Sequence, residues 1–263
     1  MGELGAYLAI GAVVGFFAGL LGIGGGIIIV SSLALMYAHQ GIAPAHVMHL
    51  AIGTSLAAIV AGSYASMRTH HLHDAVDWNV VKRMTPGLLV GALGGAGIAR
   101  LFPNAVLKYC FLGFALFVTV QMVFTVRPKA ARELPHGLAL GAAGALIGVF
   151  SGIVGGGAAA IGVPFLTWCN VSTHRAIGTV AAMGFPLAFA GALGYVLAGW
   201  GVGELPPWSV GFVYVPALVG ISITSMIVAP LGARLAHRLP AATLRRIFAL
   251  FLVAMGAKVA ISV

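Results

Sequence analysis

The stretch GLLGIGGGIII at residues 19–29 decides the fold, because it sets several glycines directly beside branched aliphatic residues. A glycine-rich run can be a phosphate-binding loop, but such a loop follows a strand and opens a helix. Here no Lys-Ser or Lys-Thr pair follows, and the glycines do not have GxGxxG spacing. A nucleotide-binding loop is therefore not expected, and the surrounding sequence has to explain the glycines.

The composition indicates an integral membrane protein. Of the 263 residues, 60% are hydrophobic and only 7% are charged, and the mean hydropathy is +1.07. Soluble domains carry about 25% charged residues, so this chain cannot cover a surface that faces water. The 14 Lys and Arg outnumber the 5 Asp and Glu and lie between apolar runs, which indicates cytoplasmic loops beside anionic lipid rather than nucleic-acid binding.

Eight apolar runs predict an all-α, polytopic bundle of transmembrane helices. Most of the runs exceed the ~20 residues that a spanning helix needs, and they are too long for the strands of a barrel. The four tryptophans fall at run boundaries, as in an interfacial aromatic belt. The runs are 5–37, 44–67, 79–101, 106–126, 136–168, 174–200, 208–233 and 243–263.

The chain also contains an internal repeat. The segment GFFAGLLG at 15–22 matches GVFSGIVG at 148–155 without a gap. The segment HLAIGT at 49–54 then matches HRAIGT at 174–179. Internal repeats of this kind are common in secondary transporters.

Two later pairs extend the match along the chain. Pro86 is paired with Pro216, and the run from Leu107 is paired with the run from Leu244. The predicted units are a first membrane repeat at 1–130, a polar linker at 131–135 and a second membrane repeat at 136–263.

The basic residues indicate how the repeats cross the membrane. If every run crossed once, the Lys and Arg residues would divide seven to seven between the two sides. If 5–37 and 136–168 each break at their glycines and return, eleven share one side and only Arg100, Lys108 and Lys258 lie opposite. The positive-inside rule favours this second arrangement. Each repeat is then a broken helical hairpin plus three spanning helices, which makes the two repeats inverted and both termini periplasmic.

Glycine breaks of this kind predict a binding site for an anion. A break frees backbone N–H and C=O groups, which a membrane tolerates only inside protein or beside a wet cavity. The N–H groups that start a half-helix carry partial positive charge, and two breaks could meet near the midplane. The alternative is close helix packing, which we favour for the glycines with GxxxG spacing. Those are Gly15, Gly19, Gly144, Gly148 and Gly152.

The motifs GFFAGLLGIGGGIIIV at 15–30 and GVFSGIVGGGAAAIGVPFL at 148–166, each followed by an AIGT helix, resemble the TauE/SafE family of sulfite exporters and anion permeases. The resemblance covers nearly the whole chain. It implies a permease of the bacterial inner membrane for sulfite, organosulfonates or similar small anions. The chain departs from the family pattern at Ser31, where the first repeat commonly has proline. The two half-sites also differ, because Ser55 of the first repeat corresponds to Val180 of the second.

The predicted substrate-binding groups lie at the breaks and in the two AIGT helices. Backbone N–H groups of the glycine runs would bind the anion, and the Thr and Ser hydroxyls would add donors. The alternative for a hydroxyl in a helix is a bond to the carbonyl one turn back. These residues are Gly24, Gly25, Gly26, Gly156, Gly157, Ala158, Thr54, Ser55 and Thr179.

Three further residues are candidates for anion entry. His49 and His174 occupy equivalent repeat positions, and a histidine can also take a proton from bisulfite. Arg175 would attract the anion. The alternatives are structural histidines and a cytoplasmic anchor. The polar segment 68–74 is expected to be a solvated loop, and neither a metal site nor a cofactor is expected.

The expected activity is export driven by the membrane potential. No carboxylate lies within a predicted span to relay protons. Export of one negative charge from a negative interior gains about 2.3 kcal/mol per 100 mV, which predicts uniport-like or weakly proton-linked flow. The alternatives are an anion channel, an importer that uses the same site, and an intramembrane metalloenzyme, for which the chain lacks an HExxH motif. Exposed small-residue faces allow a homodimer.

Overall fold

The computed structural model describes residues 2–21, 25–124, 133–135, 137–236 and 241–263, and this part of the chain is helical apart from one short hairpin of strands. The first half contains α1 (Gly2–Leu21), α2 (Gly26–His39), α3 (Val47–Leu72), α4 (Trp78–Leu101) and α5 (Asn104–Phe124). The second half contains α6 (Leu138–Val154), α7 (Ala158–Trp168), α8 (Thr173–Ala198), α9 (Val215–Ala236) and α10 (Ala241–Ser262). Between α8 and α9, β1 (Ser209–Val210) and β2 (Val213–Tyr214) pair antiparallel.

The predicted helix breaks are present in both halves. α1 and α6 end at the glycine runs, and α2 and α7 begin there. Gly25 has φ +63°, and Gly155, Gly156 and Gly157 have φ +85°, +130° and +92°. Glycine adopts this left-handed backbone readily, whereas a Cβ atom makes it costly. The glycine runs can therefore end one helix and turn the chain into the next.

The helices agree with a polytopic membrane protein. α3, α4, α5 and α8 are each long and apolar enough to cross a membrane, judged by length and composition. The described parts of the other helices are apolar but shorter. The tryptophans are exposed and lie at helix ends or in connections, as an interfacial belt requires; they are Trp78, Trp168, Trp200 and Trp208.

Two helices of the first half pack along two helices of the second. α1 lies along α9, and α4 lies along α6. A Cβ added at Gly15 would lie 2.5 Å from the carbonyl oxygen of Ser225, and one added at Gly148 would collide with the carbonyl of Leu88. Such close backbone approach is the reason that small residues line helix interfaces in membranes. The predicted packing role is confirmed for Gly15, Gly144, Gly148 and Gly152, whereas the surroundings of Gly19 are not among those that the structure describes.

These contacts correct one pairing within the sequence repeat. Gly15 and its repeat partner Gly148 face Ser225 and Leu88, which are 137 residues apart in the chain. The same offset relates the runs from Leu107 and Leu244, so α4 and α5 match α9 and α10 without a gap. Pairing Pro86 with Pro216 is wrong by seven residues, about two helical turns. Pro86 of α4 and Pro216 of α9 therefore lie at different depths in their helices and do not mark the repeat.

α3 and α8 pack side by side and run antiparallel. Near one end of the pair, a Cβ added at Gly53 would lie 2.9 Å from the Cβ of Tyr195. Toward the other end, the rings of Tyr64 and Phe185 pack with their centroids 5.4 Å apart. The AIGT segments lie on these two helices, so the fold brings both into the same interface.

Candidate functional site

The two helix breaks lie against each other inside the protein. A Cβ added at Gly26, the first residue of α2, would lie 2.9 Å from the carbonyl oxygen of Gly155. The buried Ser55 on α3 joins the breaks, because its hydroxyl donates toward the carbonyl oxygens of Gly26, at 3.2 Å, and Gly155, at 3.3 Å. A hydroxyl carries one proton, so the two carbonyls share it. Ser55 therefore bridges the first-half break and the second-half break.

Each break also presents the start of a helix. The N-cap of α2 is Gly25 and that of α7 is Gly157, and neither has a side chain to bond the first backbone N–H groups. The N–H groups of a first turn have no acceptor within their helix, and this end of the helix carries partial positive charge. Two uncapped helix starts beside one buried hydroxyl form an arrangement suited to an anion. Gly24, predicted as part of this group, lies outside the described residues.

The glycines of the second break differ in how tightly they are enclosed. A Cβ added at Gly157 would collide with the ring of Phe114, and one added at Gly155 would lie 2.7 Å from a methyl group of Val30. At Gly156 the nearest atom, Cδ1 of Ile59, would be 3.6 Å away. Gly156 is thus the position of this break at which an added Cβ would meet only ordinary van der Waals contacts. Ala158, the first residue of α7, is buried.

The threonines of the two AIGT segments hold backbone amides of the opposite half. Thr54 Oγ1 accepts the N–H of Tyr214, at 2.9 Å, just before α9. Thr179 Oγ1 accepts the N–H of Asp77, at 3.0 Å, just before α4. Both threonines are fully buried. Neither makes the bond to the carbonyl one turn back that was the alternative, and a role in binding the two helix starts was missed by the sequence reasoning.

The glycine that precedes each threonine allows the same approach. A Cβ added at Gly53 would collide with the carbonyl of Phe212, and one added at Gly178 would collide with the carbonyl of Ala75. Each Gly-Thr pair thus contacts a carbonyl and, two residues later, an N–H of the other half. We call these contacts the two clasps: Gly53–Thr54 with residues 212–214, and Gly178–Thr179 with residues 75–77. Phe212 and Ala75 are again 137 residues apart, so the clasps obey the repeat.

The structure does not bring the predicted entry residues to the breaks. His49 is only 4% exposed near the start of α3, and its Nε2 lies 3.0 Å from the carbonyl oxygen of Ala99. His174 and Arg175 are exposed at the start of α8. Since α3 and α8 are antiparallel, these residues lie at opposite ends of the helix pair. Equivalent sequence positions therefore have different environments here.

The polar segment 68–74 is not the expected loop. α3 continues to Leu72, so most of the segment forms the last turns of a helix. His71 Nδ1 accepts the indole N–H of Trp78, at 3.2 Å, and His73 Nδ1 lies 2.8 Å from the carbonyl oxygen of Thr69. Within the described residues, no three His, Cys, Asp or Glu side chains are grouped to hold a metal ion. The segment caps and anchors the end of α3.

Comparison with known families matches these motifs. The profile described as "Sulfite exporter TauE/SafE" matches residues 7–259, which is nearly the whole chain and includes both breaks and both clasps. The chain belongs to the sulfite exporter TauE/SafE family. The resemblance of the glycine motifs and AIGT segments is thereby confirmed.

Three relatives of this TauE/SafE protein carry the name "Probable membrane transporter protein". One from Haemophilus influenzae is 33% identical over 95% of both chains, and one from Xylella fastidiosa is 30% identical over 94% of this chain and 90% of its own. A third, YdhB of Bacillus subtilis, is 26% identical over 88% and 89%. No solved structure matches. The family, the names of the relatives and the apolar helices indicate a multi-pass membrane transporter.

Proposed function

We propose that this TauE/SafE protein exports small sulfur-containing anions, sulfite or organosulfonates, across the bacterial inner membrane. The observation that carries the proposal is the contact of the two helix breaks at Gly26 and Gly155, bridged by Ser55. If packing were the only requirement, an aliphatic residue would fill the place of the buried hydroxyl better, and a continuous helix would pack better than two uncapped helix starts. They suit a ligand that needs several hydrogen-bond donors and modest positive potential.

Transport would proceed by alternating access. With Gly26 packed on Gly155, an anion has no room directly between the two breaks. Separating the breaks frees the hydroxyl of Ser55 from the two carbonyls and turns it, with the first N–H groups of α2 and α7, toward the anion. The binding groups are then the backbone of Gly24–Gly26 and 156–158 together with Ser55. The closed contact is the state between the two openings.

The two halves, 1–130 and 136–263 with the linker 131–135, would form inverted repeats around this site. Antiparallel packing of α3 on α8 supports the inversion. A second contact supports it too: Lys108 near the start of α5 donates to the carbonyl of Ala260 at the end of α10, at 3.5 Å. Since α5 and α10 are equivalent in the repeat and run in opposite directions, the halves differ by a half-turn about an axis in the membrane.

The remaining predicted residues fit secondary roles in this scheme. Thr54 and Thr179 still carry a hydroxyl proton while they accept the clasp N–H groups. His49 would serve one end of the pathway, and His174 and Arg175 would serve the other. The basic residues at the end of α3 and the starts of α4 and α8 favour a cytoplasmic position for that end, and both termini would then be periplasmic.

We also propose that the protein forms a homodimer through its small-residue faces. Gly94 and Gly97 on α4 and Gly113 on α5 are exposed and have no atom within 4 Å of an added Cβ. Such faces let helices approach closely in lipid. Light scattering of the purified protein would give twice the 26.7 kDa chain mass for a dimer; the chain mass itself would refute the proposal.

Sulfite efflux from proteoliposomes at a set membrane potential, with the pH gradient collapsed, tests the export proposal. Ser55→Ala removes the bridge between the breaks and should lower sulfite efflux about tenfold, the loss expected for one hydrogen bond to a charged ligand. Ser63→Ala on the same helix is the matched control, because its hydroxyl bonds only the Val60 carbonyl of its own helix. Efflux that saturates and follows the potential supports a transporter, whereas linear efflux would indicate a channel.

Binding of sulfite and propanesulfonate to the purified protein, with sulfate and chloride as comparison anions, tests the ligand class. Gly156→Val would press a side chain against Gly26 and Ile59 where the breaks meet and should abolish binding. Because Gly156 has φ +130°, the melting temperature of this variant is measured alongside, and only loss of binding in a folded protein counts. If neither sulfur-containing anion binds the wild-type protein, the ligand class is wrong. If Ser55→Ala and Ser63→Ala transport sulfite equally well, the breaks are not the site.

A further inference from the structure

A cavity of about 600 Å³ opens where α3 begins and α4 ends, apart from the two breaks. His49 lies six residues before Ser55 on α3, which is about 9 Å along the helix axis. The breaks and the cavity therefore occupy different depths. The lining residues that matter for its chemistry are His46, His49, Arg100, Phe102, Asn104 and Phe212.

The rim of the cavity is suited to a negative group. Arg100 is exposed at the end of α4, and the described residues place no carboxylate oxygen within 4 Å of it. Asn104 uses its side-chain oxygen to accept the N–H of Met48, at 2.8 Å, so its amide N–H groups are left to donate. One acid at this end, Glu204, is exposed, and its Oε2 lies 3.9 Å from Nε2 of His46. A guanidinium and an amide donor together can bind a carboxylate, sulfonate or phosphate.

The buried wall of the cavity has an unused acceptor. His49 Nε2 lies 3.0 Å from the carbonyl oxygen of Ala99, which only accepts, so Nε2 carries the ring proton. Nδ1 then has a lone pair, and it is buried without a hydrogen-bond partner within the described residues. The carbonyls of Ala45 and Phe102 also lie near the ring, but they cannot donate a proton to Nδ1. A buried acceptor left unpaired is costly, which is why such groups indicate a ligand.

Aromatic rings line the cavity beside this acceptor. The ring of Phe212 packs 5.0 Å from the ring of His49, and Phe102 lines the same space. A ligand that binds both Arg100 and His49 contacts these rings, so a short carbon segment between its charged group and its donor suits the cavity. Inorganic sulfite has no such segment.

We infer that this cavity is a second anion site, which binds a small organic anion carrying a hydroxyl or amine donor, with the anionic group at Arg100 and Asn104 and the donor at His49 Nδ1. The site does not depend on export through the breaks. Phe212 also belongs to a clasp, since its carbonyl packs on Gly53. A ligand in the cavity thus contacts the connection between α8 and α9 at the point where the clasp holds it against α3.

Calorimetric titration of the full-length protein in neutral detergent tests the inference with two matched anions. 2-Hydroxyethanesulfonate should bind about tenfold more tightly than ethanesulfonate, because its hydroxyl pairs the buried nitrogen. His49→Leu should remove this preference by weakening only the hydroxylated anion. Arg100→Gln should weaken both anions, while the control Lys108→Gln, a cation at the same end but outside the cavity, should change neither.

A steric variant keeps the test decisive if His49→Leu does not fold. Val202→Trp would fill the cavity and should weaken both anions, whereas Val210→Trp on the exposed β1 should not. Ser55→Ala should leave cavity binding intact, so failure of the export proposal and failure of this one give different results. Equal affinity for the two anions in the wild type, or equal effects of Arg100→Gln and Lys108→Gln, would overturn the inference. Repeating the titration in nanodiscs that contain phosphatidylglycerol distinguishes the two sources of such an anion. If the cavity takes a glycerophosphate headgroup, the lipid competes and weakens the binding of 2-hydroxyethanesulfonate. If the cavity takes a free solute, the lipid leaves that affinity unchanged.

Discussion

Single hydroxyl groups connect the two halves of the molecule. We expect Thr54→Val to lower the free energy of unfolding by about 1–3 kcal/mol, because the N–H of Tyr214 and the buried hydroxyl of Tyr37 would both lose their bond to Oγ1. Thr179→Val should have a similar effect through the N–H of Asp77. Thermal unfolding of both variants in the same detergent would measure the two losses.

Thr119→Val is the control for both substitutions. Its hydroxyl is also buried, but it donates to the Ala115 carbonyl of its own helix, which already bonds within the helix. Loss of this hydroxyl should lower the free energy of unfolding by much less than Thr54→Val or Thr179→Val does. Equal melting temperatures for Thr54→Val and Thr119→Val would mean that the clasps do not stabilise the fold.

The sequence could suggest that these threonines matter but not why. Both lie in matching AIGT segments, which the repeat makes visible. Their partners are 160 and 102 residues away, and nothing local marks Tyr214 or Asp77 as the residue to be bound. His49 and His174 show the same limit, because equal positions in the repeat do not fix equal burial. Contacts between distant segments decide what each side chain does.

At the level of helices, the α4–α6 interface depends on glycine. Gly148→Ala should destabilise the protein by about 1–3 kcal/mol, because its Cβ would collide with the backbone of Leu88. Gly62→Ala is the matched control on α3: nothing lies within 4 Å of its added Cβ, and alanine is the better helix former, so stability should be unchanged or slightly higher. Denaturation in detergent would compare them; a harmless Gly148→Ala would show that the helices can separate freely.

The helix breaks were predictable because their cause is local. A glycine run that adopts positive φ ends a helix wherever it occurs, so the breaks could be placed from sequence alone. The strands β1 and β2 were missed, since two-residue strands leave no periodic pattern and the segment reads as part of an apolar run. The pairing of Pro86 with Pro216 failed for a related reason: one shared residue type fixes no register, whereas two glycine contacts do.

In the whole molecule, helices of one half pack on helices of the other half. α1 needs α9 and α6 needs α4, while α3 pairs with α8 and α5 with α10. Among the described residues, the most extensive interfaces therefore join one half to the other, and each repeat lacks a complete core of its own. In the proposed alternating access, opening on one side would then involve both halves, because each helix that moves is packed on a helix of the other repeat.

This architecture makes a prediction about orientation. Lys108 and Lys258 lie at one end of the molecule, since Lys108 bonds the carbonyl of Ala260 beside Lys258, whereas Arg83 lies at the start of α4, at the opposite end. The positive-inside rule puts Arg83 in the cytoplasm. In a chain with Cys110 and Cys169 replaced by alanine, Lys108→Cys and Lys258→Cys should react with a membrane-impermeant maleimide on intact cells.

Arg83→Cys should react with the same reagent only after the membrane is permeabilised. Labelling of Lys108→Cys and Lys258→Cys from opposite sides would exclude the inverted arrangement, because α5 and α10 would then cross in the same direction. If only Arg83→Cys were labelled on intact cells, the two repeats would still be inverted, but the orientation in the membrane would be the opposite of the one predicted. Both termini would then lie in the cytoplasm. The cavity at His49 opens at the same end as Lys108, so this labelling also decides from which side of the membrane its anion arrives.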